Sequence, residues 1–352
     1  MAAASAAHER AKHLEVARCA VDAEQRRELL ATVTDALTEQ SIPDTYKGAS
    51  SSLAVDWTDH ESWSRPRAKD DAQPAADPDA SWGHAKRNAP GAKDALFYGY
   101  YAQVATMVKD EGGPPVPELI RRIAFAAPCE DPAAVMASAL ARTSICAVSL
   151  GDVLADCGYS HRDPKTFAAP LRSRGAHLVF DLHPNDRGPR GTFEGAILAN
   201  GQLYCPATPI ALLGLSPLSR GASDAEAQAH DARCAEADRY RLGALRADDE
   251  DGYHRVRCPA AAGKLRCALK PASMALTSEH PSVLRPPDQA PRCCSQQTIT
   301  VPPQVNESTR QKHPYPSAAH RLSYARRTAA ERAYASLADP STGGIRRGWS
   351  RL

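Results

Sequence analysis

Several things are scarce in this chain, and each shortage removes a class of answer. Of 352 residues only 5 are Phe and 4 are Trp, so any aromatic core is modest. No apolar run approaches the roughly 20 residues needed to span a bilayer. The N-terminal MAAASAAHERAKHL carries charges where a secretory signal needs an uninterrupted apolar stretch. No membrane partner is expected, and a cytoplasmic location follows. Without a secretory context the ten cysteines do not read as a disulfide framework, which leaves buried thiols or metal ligands. The net charge is only +2, too small by itself to announce a polyanion binder.

What is present supports a folded protein of some size. Hydrophobic residues make up 43% of the chain, and the length suggests two domains or one domain with a large insertion. The 28 prolines imply long connections. Charge is unevenly spread: from Arg310 to Leu352 nine Lys and Arg face two acids, a local +7 that leaves about −5 for the rest.

Taken in order, residues 1–46 read as two helices, the first carrying Leu14, Ala17, Cys19 and Val21. The second has an apolar stripe of Leu29, Leu30, Val33 and Leu37, and Pro43 ends it. Residues 47–190 alternate strands and helices. LAVD is a short strand ending at Asp56, and residues 70–79 are an acidic, proline-rich loop. WGHAKRN is a further loop, followed by a strand or strand pair in ALFYGYYAQVATMV. Pro132 to Cys146 suits an alanine-rich helix with Val135, Met136, Leu140 and Ile145 on its buried side. Val153, Leu154 and Ala155 then form a second short strand that ends in an acid, Asp156. Gly158 permits a turn before a helix from Pro164 to Ser173, and AHLVFDL is a third strand.

Residues 191–303 change character and read as an insertion. Asn200-Gly201 signals a hairpin, and Ser219 to Asp251 an exposed helix. Cys205, Cys258, Cys267, Cys293 and Cys294 gather in a stretch with little other core material. Cys258 and Cys267 with Cys293 or Cys294, and with Cys205, are candidate ligands of a structural Zn²⁺. Cys19, Cys129, Cys146, Cys157 and Cys234 read as packing residues.

Residues 304–352 contain a helix capped at Ser317 and stopped by Pro340. Tyr324, Arg327 and Glu331 are spaced i, i+3 and i+7 and therefore share one face of it. Alone, this is a solvated face with a local ion pair. Beside Asp56 and Asp156 it becomes the third member of a carboxylate set, the three acids lying 100 and 175 positions apart. Converging carboxylates repel unless cations neutralise them, and hard divalent ions prefer oxygen ligands. A pair of such ions suits in-line displacement at a phosphodiester. Asp59 and Asp152 stand as substitutes for their neighbours.

These residues carry a family resemblance. Tyr324, Arg327 and Glu331 match the first three positions of the Tyr-x2-Arg-x3-Glu-x6-Lys signature of insertion-sequence DDE transposases, with Ala338 standing where the lysine would fall. LAVD and VLADCGY resemble the first and second acidic motifs of the same group, in the same order. The resemblance runs from about Ser51 to the C-terminus. It implies an α/β, ribonuclease-H-like mixed sheet flanked by helices, with the cysteine-containing insertion between the second Asp and the Glu. It further implies Mg²⁺ or Mn²⁺ held by Asp56, Asp156 and Glu331, and cleavage and strand transfer on double-stranded DNA. Tyr324 and Arg327 would contact the transposon end, His84 and Lys86 are further candidates for approaching the DNA, and a homodimer is open as the assembly. Two alternatives stay in view: a transposase-derived protein that binds DNA without cleaving it, and a zinc-stabilised nucleic-acid-binding protein built on the cysteine segment.

Overall fold

The computed structural model describes residues 25, 27–66, 75–77, 79–85, 95–142, 150–219, 221–245, 248–249, 251–339 and 341. The first expected helix, Lys86, Cys19, Cys146 and Pro340 lie outside them. The core is a mixed six-stranded sheet. Its strands are β1 (Ser52–Glu61), β2 (Ser81–Ala85), β3 (Ala95–Val108), β4 (Ile120–Ala126), β5 (Asp152–Ala155) and β6 (His177–Phe180). The order is β2–β3–β1–β5–β6, with β4 also pairing with β3. β3 is antiparallel to β1, β2 and β4, whereas β5 runs parallel to β1 and β6 parallel to β5. Helices flank both faces, so the class is α/β.

Strand alternation sorts the side chains of β1 between two layers. Leu53 and Val55 join Val153, Ala155, Leu178 and Phe180 on one face, under the helix Pro132–Ala141 and the short helix Ala168–Arg172. Ala54 faces the other way, with Val104, Leu154 and Val179, and is covered by Ala329 and Ala330 of the C-terminal helix Thr328–Ala338. Asp56 therefore shares the face on which that helix lies, while Trp57 packs on the opposite layer. The expected LAVD strand is longer than four residues. It runs through Asp56 to Glu61 because β3 continues to pair with it, although the β5 partnership stops at Ala54.

WGHAKRN does not begin as a loop: Ser81–Ala85 pairs with β3. β4 escapes sequence reading altogether, because Arg121 and Arg122 interrupt its apolar pattern. Both are buried, at 3% and 2% exposure. Residues 27–41 form the helix that compensates them. Glu39 accepts from Arg121 and Arg122 at 3.4 Å, and Asp35 approaches Arg122 Nε at 3.7 Å. Burial pulls the Arg122 guanidinium below its usual range, and the two carboxylates oppose that pull. The helix is thus turned opposite to the expectation from its apolar stripe. Leu29, Leu30, Val33 and Leu37 are exposed, and the carboxylate side faces the sheet.

Between β6 and the C-terminal helices lie two three-stranded sheets. One comprises β7 (Pro189–Phe193), β8 (Ala196–Ala199) and β9 (Gln202–Tyr204); the other comprises β10 (Gly243–Ala244), β11 (His254–Arg257) and β12 (Thr298–Val301). The β8–β9 hairpin turns at Asn200 and Gly201, both at positive φ (49° and 73°), as the dipeptide predicts. The expected exposed helix is shorter, Asp224–Tyr240, and opens with a Ser223–Glu226 capping box. Cys129 is exposed rather than packed, and Cys157 and Cys234 are half-buried.

The docking of helix 27–41 yields a stability prediction. Glu39→Ala leaves two buried guanidinium groups short of a partner and should cost about 3 kcal/mol in urea unfolding. Leu37→Ser, on the exposed side, should change stability by less than about 0.5 kcal/mol. The reverse ranking would refute this account of the docking.

Candidate functional site

The sheet and the C-terminal helix bring Asp56, Tyr324, Arg327 and Glu331 together where β5 ends beside the middle of β1, with Asp156 near enough to act electrostatically on Asp56 and Arg327. The parallel register pairs Leu53 with Val153 and Ala54 with Leu154, so Asp156, just past the end of β5, stands at the same offset as Asp56, which lies within β1. Asp156 caps the single helical turn Cys157–Ser160, its carboxylate accepting from the Gly158 amide at 2.9 Å. Gly158 is required for contact reasons. A Cβ there would lie 2.5 Å from the Trp57 ring, which packs on Tyr159 with ring centroids 4.3 Å apart. Tyr159 itself fills the core and donates to Gln103 Oε1 at 3.1 Å. The Asp-x-Gly-Tyr pattern is therefore a cap, a close approach and a core anchor in four residues.

The helix that carries the third acid is not continuous. Ser317 caps Ala318–Tyr324, a 3₁₀ turn occupies Ala325–Arg327, and Thr328–Ala338 follows. The tightened turn keeps Tyr324, Arg327 and Glu331 on one face, with Arg327 buried toward the sheet and Glu331 half-exposed at its rim. Arg327 donates to Asp56 Oδ2 at 2.9 Å and to Glu331 Oε1 at 2.6 Å, and its guanidinium lies 5.7 Å from the Tyr324 ring centroid. Burial works against its charge, but the Tyr324 phenol and the carboxylates of Asp56, Asp156 and Glu331 overcome this and hold the proton more tightly than usual. Burial pushes Asp56 up to about 6, with the Asp156 charge adding to the rise and Arg327 opposing it. Burial likewise raises the Tyr324 phenol. Trp57 N–H donates to Asp56 Oδ1 at 2.9 Å. Tyr334, which the sequence did not flag, offers its hydroxyl to the carbonyls of Asp56 (2.9 Å) and Ala102 (2.8 Å), pinning the helix over β1 and β3.

The substitutes are excluded by position. Asp59 lies on the opposite face of β1 from Asp56 by strand alternation. Asp152 begins β5, at the far end from Asp156, and is a buried ion-pair centre held by Lys312 at 2.8 Å and Arg326 at 2.7 Å. His84 is exposed on β2, away from this crevice's strands.

Three carboxylates with oxygen donors alone suit a hard divalent cation; at Asp56, burial and the Asp156 charge favour the protonated form against the opposing Arg327 charge and Trp57 amide. The three acids do not crowd together: among the described residues their oxygens do not form a group lying within 4.8 Å of one another. The group that does is His161, His183 and Asp186, drawn from the turns after β5 and β6. Its members belong to two separate segments, so no spacing signature announced it.

The cysteines are also brought together. Cys205, Cys258 and Cys267 sit in one core cluster of the intervening segment and Cys293 and Cys294 in another, and all are buried. Cys293 and Cys294 sulfurs are 3.8 Å apart. A hydrogen bond from Cys205, then one from Cys293, favours a thiolate on Cys294, down at about 3, while the same contacts push Cys205 and Cys293 up. Cys258 and Cys294 act electrostatically on both Cys205 and Cys267. No three of these sulfurs lie within 4.8 Å of one another among the described residues.

No family model matches the chain, and no curated protein or solved structure matches it either. Among the described residues, no helix is long and apolar enough to cross a membrane.

Asp56 generates a pH prediction. Its native pKa is raised above the unfolded value near 3.9, so its contribution to stability is complete below pH 4 and is lost as pH rises through about 6. Without added metal, wild type should lose about 3 kcal/mol relative to Asp56→Asn between pH 4 and pH 8, at about 1.36 kcal/mol per unit. Urea unfolding at the two pH values measures the difference; parallel behaviour of the two proteins would contradict the burial of an ionising Asp56.

Proposed function

We propose that this chain is a ribonuclease-H-like, metal-dependent polynucleotidyl transferase of the DDE transposase class, acting on double-stranded DNA. The observation that carries the reading is the Arg327 bridge. It ties Asp56 to Glu331 across 271 positions between Asp56 and Arg327, with Asp156 in electrostatic contact. The sheet order supports it as well. An antiparallel β4–β3–β1 half continues into parallel β5 and β6, and the acids follow β5, lie on β1 and project from a helix packed across the sheet.

In this reading Asp56, Asp156 and Glu331 hold Mg²⁺ or Mn²⁺. Bound there, the ions supply an activated water or 3′-hydroxyl and neutralise the leaving oxygen of a phosphodiester. The chain's own groups do the rest. Arg327 has a fork that fits either carboxylate or phosphate oxygens, so it is suited to exchange its present partners for the DNA backbone. Tyr324 walls the crevice beside it and stacks on His320 at 5.6 Å. Tyr334 fixes the height of the helix, and so of Glu331, above β1. Asp56 must lose a proton near pH 6 before it can ligate, so metal affinity should increase across that pH.

Asp56→Ala, Asp156→Ala and Glu331→Ala should each abolish Mg²⁺-dependent nicking of duplex DNA carrying the element's terminal repeats, with the fold retained by circular dichroism. Nicking that survives all three changes sinks the catalytic assignment. Salt-sensitive duplex binding without any nicking by wild type would favour the DNA-binding alternative, for which Ala338 in place of the signature lysine is the motivating observation.

The buried cysteines favour a structural Zn²⁺ in the intervening segment. The 3.8 Å sulfur separation equals what two thiolates on one tetrahedral Zn²⁺ require with bonds of about 2.3 Å. Cys258 and Cys267 with Cys293 and Cys294 would hold it, with Cys205 beside them. About one zinc per chain by elemental mass spectrometry is expected, falling after Cys258→Ser with a lower melting temperature. A zinc-free protein that melts unchanged in the presence of a chelator would dismiss the ion.

A further inference from the structure

The parallel pairing of β5 and β6, with Ala155 opposite Phe180, sets the turns that follow the two strands side by side. His161 ends the helical turn after β5, and His183 and Asp186 lie in the 3₁₀ turn after β6. One ligand atom from each lies within 4.8 Å of the others. The two imidazole rings stack nearly parallel, with centroids 4.1 Å apart and planes at 22°. His161 Nδ1 and Asp186 Oδ2 are 2.8 Å apart.

We propose that His161, His183 and Asp186 form a binding site for a borderline divalent transition ion of the Zn²⁺, Co²⁺ or Ni²⁺ type, separate from the oxygen-only carboxylate set. Donor chemistry makes the distinction. Two imidazole nitrogens and one carboxylate favour borderline ions, whereas Mg²⁺ seeks oxygen alone and holds its water. Geometry is consistent: two ligand atoms on a tetrahedral ion with bonds of about 2.0–2.1 Å stand roughly 3.3 Å apart, so rotations of the rings and carboxylate suffice to admit the ion. An ion would replace two contacts made by its own ligands. They are the 2.8 Å His161–Asp186 pair and a 3.2 Å hydrogen bond from the Asn185 amide to His183 Nδ1. Arg190 is half-exposed, stands 3.9 Å from the other Asp186 oxygen and also donates to the Asn185 carbonyl, so it borders the site without occupying the ligand positions.

The donors come from two segments fixed by sheet pairing, so the scaffold itself presents them. The His161 side chain is 48% exposed, which leaves the site reachable and its remaining coordination positions open to water or an anion's oxygen. Three protein ligands with open positions is the pattern of an exchangeable rather than a closed structural site. The inference does not depend on the transposase reading, because it concerns ion binding in the absence of DNA.

The full chain, stripped of metal and held in excess Mg²⁺, is titrated with Co²⁺ and followed by visible absorption. Thiolate-bound Co²⁺ at the cysteines gives strong near-ultraviolet charge-transfer bands, whereas this site gives d–d bands without them. Wild type should show a Co²⁺ population of the second kind, displaced by Zn²⁺ and insensitive to Cys258→Ser. His161→Ala and His183→Ala should each weaken it by at least about tenfold. Asp186→Asn, nearly isosteric, guards against a folding artefact and should do the same with an unchanged metal-free melting temperature. Absence of a thiolate-free Co²⁺ population in wild type, or full-strength binding by the His161→Ala and His183→Ala proteins, would overturn the site.

Discussion

The grip of Arg327 on Asp56 and Glu331 is the constraint around which the crevice is built. A carboxylate on a central strand, half-enclosed and near a second one, would be driven to take up a proton. The guanidinium opposes that pressure, and because its helix also supplies Glu331, the same contact fixes the helix on the sheet. The buried charge-assisted bond to Asp56 contributes roughly 1.5–3 kcal/mol, comparable to burial of a large apolar side chain, whereas the half-exposed i,i+4 bond to Glu331 adds only about 0.3–0.5 kcal/mol. Ala329 and Ala330 add close packing because their small side chains let the helix lie near Ala54 and Leu154. Tyr334 then fixes its height.

The same principle recurs at the sheet's other edges. Arg121 and Arg122 on β4 are buried against Glu39 and Asp35 of helix 27–41, and Asp152 at the start of β5 is buried against Lys312 and Arg326. Each of these pairs joins elements distant in sequence. A buried charge is tolerated only beside its partner, so such pairs specify which helix lies where more sharply than apolar contact does. The chain has few aromatic side chains with which to encode that specificity by shape, and it uses ionic pairs at three docking points instead.

Much of the core was legible because its signals are local. The apolar runs before Asp56 and Asp156, the run ending at Leu182, the Asn200-Gly201 turn and the Ser317 cap are set by neighbouring residues, and each lies in the element expected. The misreadings share a physical cause. β4 was missed because Arg121 and Arg122 look like surface residues until helix 27–41 is placed against them. The orientation of that helix was inverted because leucines normally mark the buried side, whereas here its carboxylates are needed by the sheet. Ser81–Ala85 looked like a loop because strand pairing with β3, rather than its own composition, makes it a strand.

For the candidate site, the components are written in the chain locally: acids after two apolar runs, a glycine that must be small, and a Tyr, Arg and Glu on one helical face. These follow from local periodicity and steric limits. Folding in three dimensions is what buries Arg327 against Asp56 and links it to Glu331, removes Asp152 and Asp59 as alternatives, and makes two histidines and an aspartate meet after β5 and β6. Those outcomes depend on which strands pair and which charges are buried together, and such long-range free energies are not written in any single stretch of the chain.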